Sequence, residues 1–432
     1  MTTTTLPARP SRTSGSASNP SSHPSGDSAT RWPSDVRMLL GSEAGDLLAE
    51  YVAHLGGTVR SHRARQVSHQ VGHSTTVQYR VRVDWPTGAA SGRTTSDETI
   101  VLTTADHGDR AARLTDGVHD IAAWRWSDDP ALPGLASALD VRRVSALFDD
   151  LGVGGHRVEL RVRAYRPGRR AVVEATSDAG RVFLKVVAPH RAQALHDVHR
   201  TLAETLPVPN SIGWTSDGIV VMPGLAGRTL RDDLRTPNAP LPTPASIDAL
   251  LARLPDGVGA TRPRTSWIES ARRHARTIDA TVPSVSDALA ETLERLEAAD
   301  DGADDHDITT VHGDMYEAQL LAQRGELTGL LDVDTVGRGR RIDDTANFCA
   351  HLSVLATVWT PSGAVRQYGR ELLAHAETRY DRSDLRRRIA AAVLGLATGP
   401  FRTLEPKWEA NTLRRIRLAD QWLASAAPMN NR

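Results

Sequence analysis

One stretch narrows the possible folds of this chain more than any other. Ile308-Thr309-Thr310-Val311 is a β-branched run that reads as a strand ending at His312. A loop carrying Asp314 follows, within Val311-His312-Gly313-Asp314-Met315-Tyr316-Glu317-Ala318-Gln319. Then Leu320-Leu321-Ala322 and Leu327-Thr328-Gly329-Leu330-Leu331 flank a polar Arg324-Gly325 turn, the signature of a hairpin. A turn centred between Gly325 and Glu326 sets Gln319 opposite Asp332. An amide carbonyl and a carboxylate then meet at the open mouth of the hairpin, beside Asp314. A few hard oxygens are what magnesium takes from a protein, the rest of its shell coming from phosphate and water.

The same residues carry a family resemblance. His312-Gly313-Asp314, four residues, then Gln319, and later Leu330-Leu331-Asp332 resemble the aminoglycoside phosphotransferase and sugar/choline kinase superfamily, relatives of the protein kinases. By that resemblance Asp314 is the catalytic base for an acceptor hydroxyl, and Asp332 holds magnesium. Gln319 stands where the family usually has Asn, keeping the carbonyl ligand on a side chain one methylene longer. Asp344-Thr345-Ala346-Asn347-Phe348 resembles the segment opening the family's next helix, where Asp344 would brace the catalytic loop.

A bare His-Gly-Asp is weak evidence, as a second copy at Asp106-His107-Gly108-Asp109 demonstrates. That copy has Leu114 where the amide should fall and no Asp-bearing hydrophobic strand at hairpin distance, so it reads as a solvated loop. Around Asp314 the hairpin, Asp332 and Asp344 occur together, which makes a chance loop improbable.

Upstream, Val158 to Arg163 alternates as a strand, and Tyr165-Arg166-Pro167-Gly168-Arg169-Arg170 makes a basic turn. Ala171-Val172-Val173-Glu174-Ala175 returns, and Arg181-Val182-Phe183-Leu184-Lys185-Val186-Val187 forms a third strand. A lone lysine in a strand is more often an edge or snorkelling residue. The chain order of turn, lysine, hinge, His-Gly-Asp and Asp is what favours function here. The resemblance implies that Lys185 sits over the nucleotide's α/β-phosphates, with Arg169 and Arg170 in the covering turn. A helix is expected from about His190 to Thr205, with Leu195, Val198 and Leu202 on one face. The family's helix supplies a Glu to the lysine, and Asp197 is the nearest acid here. Gly218 to Met222 reads as a strand leading into a hinge, where Met222, Pro223 and Leu225 would meet the adenine. Thr229 also suits a helix cap.

Composition bounds the rest. A chain of 432 residues predicts two or three domains. With 52 Lys+Arg against 52 Asp+Glu, nothing in the bulk charge calls for nucleic acid or an anionic membrane. The single Cys349 rules out an intramolecular disulfide framework and reads as a small buried residue. No apolar run approaches the roughly 18 residues a membrane span needs. The histidines lack His-Glu-x-x-His spacing, which argues against zinc, and no Gly-x-Ser-x-Gly or Gly-Lys-Ser/Thr motif occurs.

Residues 1–33, rich in Ser, Thr, Pro and Gly, cannot bury enough surface to offset their ordering entropy and read as a disordered tail. The tail lacks the apolar core of a secretory signal. Residues 34–140 read as a helix (Leu39 to Leu55) and strands (Val67 to Val83, Thr99 to Thr104). Val71-Gly72-His73 through Val77 parallels Pro167-Gly168-Arg169 through Val173, and Ile100 to Thr104 parallels Val182 to Val186, with Thr103 at the lysine's place. This suggests a degenerate second copy of the small lobe serving as a cap. A cap ahead of a kinase resembles the actinobacterial maltokinase and glucosamine kinase relatives. Trp124-Arg125-Trp126 and the following Asp129-Pro130-Ala131-Leu132-Pro133-Gly134-Leu135 would link cap to kinase.

Beyond the hinge, helical periodicity dominates at Ser246 to Leu254, Trp267 to Ile278, Ser284 to Ala298, Phe348 to Trp359, Ala364 to Arg379, Ser383 to Thr398 and Lys407 to Ala424. The acidic run from Asp300 to Asp307 reads as a solvated loop. Phe401 to Glu409, with two acids and a Trp, fits an acceptor pocket or plain helix packing equally well.

The expected fold class is therefore α+β: a bilobal protein-kinase-like fold with an antiparallel-sheet small lobe (141–224), a mainly helical large lobe (225–432) and an N-terminal α/β cap. The resemblance implies a cytoplasmic phosphotransferase using ATP, with GTP an open alternative, and Mg2+. Its partner would be a small-molecule hydroxyl acceptor (sugar, amino sugar or aminoglycoside), with neither nucleic acid nor membrane involved. The competing reading is a catalytically silent, pseudokinase-type nucleotide- or sugar-binding module, suggested by Gln319 and the missing helix Glu.

Overall fold

The computed structural model describes residues 31–87, 93–115, 117–298 and 307–426. The expected tail lies outside the described residues up to residue 30, as does the acidic run up to residue 306.

The described residues open with helices α1 (Ser34–Leu40) and α2 (Glu43–His54), which bury Val36, Met38, Leu39, Leu47, Leu48, Tyr51 and Val52 on one face. They cover a five-stranded sheet of β1 (Thr58–Gln70), β2 (Ser74–Pro86), β3 (Arg93–Thr103), β4 (Ala112–Thr115) and β5 (Asp120–Arg125). In β2 the two-residue period decides the faces: Val77, Tyr79, Val81 and Val83 point into the core, while Thr76, Gln78, Arg80 and Arg82 point away. Trp124, expected in a linker, instead lies buried inside β5, because Ile121-Ala122-Ala123-Trp124 is itself an apolar strand. The crossing to the next lobe starts only at Trp126.

Helices α3 (Gly134–Ala138) and α4 (Val141–Asp150) already belong to the second lobe. Leu132, Leu135, Ala138, Val144 and Phe148 pack into the core of its sheet. That sheet contains β6 (Glu159–Arg166), β7 (Arg170–Ser177), β8 (Gly180–Val187), β9 (Gly213–Trp214) and β10 (Ile219–Pro223), with α5 (Pro189–Ala203) between β8 and β9.

Both sheets have the same antiparallel order, β1-β2-β3-β5-β4 in the cap and β6-β7-β8-β10-β9 in the small lobe. Their registers also correspond. Thr76 pairs with Thr103 where Val172 pairs with Lys185. Leu102 faces Ala123 where Leu184 faces Val221, and Ala112 faces Ala123 where Gly213 faces Val221. Thr103 thus stands where the small lobe has its lysine, fully buried and hydrogen-bonded to Thr76 at 2.7 Å. The helix has no counterpart: a single 3-10 turn, Gly108–Arg110, replaces α5.

The hinge runs into β11 (Arg228–Thr229), where the Thr229 hydroxyl accepts from Asp232 N at 3.1 Å and caps α6 (Leu230–Asp233). Helices α7 (Pro244–Leu251), α8 (Trp267–Thr281) and α9 (Ser286–Ala298) follow. A capping box between Ser266 and Glu269 starts α8. The predicted hairpin region contains β12 (Ile308–Val311), β13 (Leu320–Gln323), β14 (Glu326–Leu330) and β15 (Gly337–Arg340). Helices α10 (Arg341–Val358), α11 (Gly363–Ala376), α12 (Arg382–Leu396), α13 (Gly399–Arg402) and α14 (Trp408–Ala426) complete the lobe. The first of these begins at Arg341 and not at the expected Phe348. Apolar periodicity starts late there, but Asp343 and Asp344 in the first turn favour the positive end of the helix.

The architecture is the expected α+β arrangement of an N-terminal antiparallel sheet ahead of a two-lobed, kinase-like body. Cap and large lobe share one continuous apolar core, while the small-lobe sheet keeps its own. Trp32 ties the first two together: its Nε1 donates to Thr281 O at 2.9 Å, and its ring packs edge-on against Phe401.

Candidate active site

Strand alternation aims Lys185 at the cleft. Val182, Leu184 and Val186 face the small-lobe core, so Lys185 shares the opposite face with Val187 and, on the neighbouring strand, Val220 and Met222. The lysine is 5% exposed. Its Nζ donates to Asp332 Oδ1 at 2.9 Å and to Asp334 Oδ1. Arg170, from the start of β7, grips Asp332 with both terminal nitrogens, at 2.8 and 3.0 Å. Residues far apart in sequence thus form one ion cluster across the cleft. Burial works against both carboxylates ionising, yet Lys185 and Arg170 outweigh it and hold Asp332 below its usual pKa. Asp334 is likewise depressed against its burial, by neighbouring His199 and by Lys185.

The helix acid expected to pair with the lysine does not do so. Asp197 is exposed, and the lysine's carboxylate partners both come from the large lobe. Leu195, His199 and Leu202 form the buried face of α5, and that spacing turns Asp197 outward. His199 takes the inward position. Its Nδ1 meets Pro209 O at 2.8 Å, and its Nε2 stands 3.9 Å from Asp334.

The hairpin forms one residue out of the expected register. Leu320 pairs with Leu330, but beyond a bulge Ala322 pairs with Leu327 and Gln323 with Glu326, so the turn centres between Arg324 and Gly325. Thr328 is the bulged residue, and its hydroxyl donates to Ala226 O in the hinge at 2.8 Å. Leu331 N, not that of Asp332, therefore donates to Gln319 O, at 2.7 Å. Gln319 remains buried beside the strand end that delivers Asp332. Asp332 leaves the strand in a left-handed conformation (φ 54°, ψ 44°), which Asp tolerates better than most residues. That turn brings Asp334 to the lysine as well.

Asp344 braces the Asp314 loop from below, accepting from His312 N at 2.7 Å and Gly313 N at 2.8 Å. His312, fully buried, contacts Leu331 O through Nε2 at 2.9 Å and so couples the loop to the hairpin. Gly313 must be glycine: at φ 80° a Cβ would lie 2.7 Å from Thr335 O. Burial, with a contribution from Asp332, raises the pKa of Asp314 against the opposing pull of His312, Arg166 and Arg264.

The two arginines of the covering turn part company. Arg170 enters the ion cluster, whereas Arg169 lines a crevice facing the cap, together with Arg166 and Arg402. Met222, Pro223 and Leu225 lie where β10 leaves the small lobe for β11, and Gly224 N donates to Arg181 O at 2.8 Å. The Phe401 to Glu409 segment is largely packing. Phe401 and Trp408 are buried edge to face, and Glu405 is occupied by Arg415 at 3.3 Å and Asn411 at 2.8 Å.

Three residues near the site were not singled out from sequence. Glu317 is fully buried against Arg231 at 2.6 Å, and burial raises its pKa. His199 was legible from the period of its helix. Arg402 had no sequence signal, since only the tertiary fold brings it to the cleft.

The sequence profile described as APH, phosphotransferase enzyme family, matches residues 161–394. No curated protein matches the chain. Among solved structures, a thermostable mutant of aminoglycoside phosphotransferase APH(4)-Ia in its apo form is similar at 14% identity, covering 66% of this chain and 99% of its own, with a TM-score of 0.47. Macrolide 2'-phosphotransferase MphH from Brachybacterium faecium is similar at 21% identity, covering 67% and 100%, with a TM-score of 0.39. Plasmodium vivax ethanolamine kinase is similar at 11% identity, covering 62% and 84%, with a TM-score of 0.42.

Proposed function

We propose a reaction for this chain from one premise: it belongs to the phosphotransferase enzyme family, whose profile spans more than half its length. The reaction is transfer of the γ-phosphoryl group of ATP to a hydroxyl of a small polar acceptor. The observation that carries this reading is the convergence of Lys185 and Arg170 from the small lobe on Asp332, with the Asp314 loop fastened behind it. A cap ahead of the small lobe is in keeping with the maltokinase- and glucosamine-kinase-like branch.

In this reading Lys185 and Arg170 neutralise the phosphates that enter between the lobes, releasing part of their hold on Asp332. Pro223 has no N–H and Gly224 spends its own on Arg181, so Leu225 is the hinge residue whose N–H is proposed to meet the adenine edge. Asp332, kept ionised by its cationic neighbours, and the Gln319 carbonyl suit magnesium. The rest of such an ion's shell would come from phosphate and water. When bound, the ion would offset charge on the phosphate oxygens. Asp314 orients the acceptor hydroxyl and accepts its proton as the oxygen attacks.

The test is ATP turnover against an acceptor panel for wild type and Asp314→Asn, with nucleotide binding measured separately. Wild type should release ADP only with an acceptor. The variant should lose about 10²- to 10⁴-fold in rate while still binding nucleotide. One observation favours a silent binding module instead: the oxygens of Asp332 are already taken by Arg170 and Lys185. Nucleotide binding without transfer to any acceptor would establish that second reading.

A further inference from the structure

Three arginines beside the site have no carboxylate ion pair among the described residues. Arg166 and Arg169 flank the β6–β7 turn, and Arg402 ends α13. Together they form one wall of a crevice of about 120 Å³, whose other wall is the cap sheet. All three side chains are solvent-accessible. They are electrostatically close to the Asp314 loop: Arg166 acts on Asp314, and Asp314 and Tyr316 act on Arg402.

The cap wall is of a different character. Cross-strand register stacks Gln66 on Gln78, Ser68 on Thr76 and Gln70 on Ser74, and all six line the crevice. This is a ladder of amides and hydroxyls without a formal charge. Such groups exchange hydrogen bonds with a polyol, each donating and accepting. Guanidinium groups instead call for a phosphate or carboxylate, which they bind in bidentate fashion. A polycation would meet three like charges there.

Building on the phosphotransfer reading, we propose that the acceptor is a polyhydroxylated anion, a sugar phosphate or sugar acid. Its charged group rests on Arg166, Arg169 and Arg402, and its hydroxyls lie along the cap ladder. One remaining hydroxyl is presented to Asp314. In the transfer, the bond between the γ-phosphorus and the β–γ bridging oxygen breaks and a bond from the acceptor oxygen to that phosphorus forms. The hydroxyl proton passes to Asp314, and ADP leaves with the bridging oxygen. Arg166 and Arg169 place two further positive charges near Arg402, and an anion seated among the three would relieve that repulsion.

The experiment measures direct binding to the full chain by calorimetry, using glucose 6-phosphate, gluconate, glucose, glucosamine and inorganic phosphate, alongside ADP release with ATP present. At least one of the two hydroxylated anions should bind ten times or more tightly than glucose or glucosamine, and more tightly than inorganic phosphate. Which anion wins separates a phosphate-bearing from a carboxylate-bearing acceptor. Arg402→Gln should remove at least a tenfold share of that affinity, and Arg402→Lys should restore part of it. Arg273→Gln, in the cavity of about 300 Å³ that Gly313 and Asp314 also line but that shares no lining residue with the crevice, should leave it unchanged. Glucose or glucosamine binding as tightly as the anions would overturn the proposal. So would inorganic phosphate matching the sugar anions, or sensitivity to Arg273→Gln in place of Arg402→Gln. Anion binding without ADP release would sink the phosphotransfer reading alone, because binding is read without turnover.

Discussion

At the scale of single residues, the carboxylates of the cleft are divided by their neighbours. Asp314, raised by burial and by Asp332, is the group whose proton affinity suits a base, whereas Asp332 and Asp334 are held ionised by Lys185 and Arg170. A base works only when deprotonated, so kcat/KM should fall as pH drops through the raised pKa of Asp314. The acid limb of a pH–rate profile is therefore expected above the ordinary Asp value. A limb at the ordinary Asp value would remove Asp314 from that role. Lys185→Met tests the other half of the division. It leaves Asp334 and part of Asp332 buried without their nearest cation, and breaking such a pair costs about 3–5 kcal/mol. Urea unfolding should show a loss of that order at neutral pH, together with weaker ATP binding. Depressed carboxylates contribute stability above their unfolded pKa and lose it as pH falls through the lower folded value, so the gap between variant and wild type should narrow in acid.

At the scale of elements, local spacing made some features legible and tertiary packing hid others. Lys185 could be placed because one strand's alternation and the order of motifs are written in the chain. The hairpin was legible, but its register was not. The bulge at Thr328 exists because the hinge runs beside it and takes its hydroxyl, a contact that strand spacing does not encode. Asp197 is the acid nearest the expected position, yet the period of Leu195, His199 and Leu202 excludes it from the inner face. The covering turn carries a device that no motif announced. Asp129, buried between the lobes, accepts from Tyr165 Oη and Gly168 N, each at 2.8 Å, while Trp124 of the cap donates to Tyr165 Oη at 3.0 Å. The turn is thus moored to the cap. Asp129→Ala strands three donors, Ala131 N at 2.9 Å being the third, at a cost of about 1–3 kcal/mol for each that stays buried. Amide exchange over residues 166–170 should quicken, and KM for ATP should rise by roughly tenfold, since each 1.4 kcal/mol of lost preorganisation is one decade. Unchanged exchange would mean that the turn holds its shape without the cap. From the shared strand order and register we infer that the cap is a second small lobe stripped of its helix and lysine.

At the scale of the whole molecule, the division of the core determines how the protein should come apart. The small-lobe sheet packs against α3 and α4 in a core of its own, but the cap and large lobe bury their apolar residues in one continuous cluster, joined where Trp32 meets Phe401 and Thr281. From sequence, residue 32 reads as part of a structureless tail, because a single Trp among Ser, Thr and Pro gives no periodic signal. Its value comes from the socket it fills. Trp32→Ala removes a ring that is only 6% exposed, and truncations of this size cost about 3–5 kcal/mol. If the cap were an independent module, calorimetry of the variant would show a new low-temperature transition, with the remainder of the protein melting as before. A shared core requires the opposite: cap and large lobe stay in one transition, and that transition moves down as a unit. The crevice should respond too, because Phe401 adjoins Arg402 and anchors the helix that presents it. A cap loosened from this anchor would hold its ladder of amides at the wrong distance from the arginines, so sugar-anion affinity in Trp32→Ala should fall along with stability, while nucleotide affinity, set across the other interface, should change less.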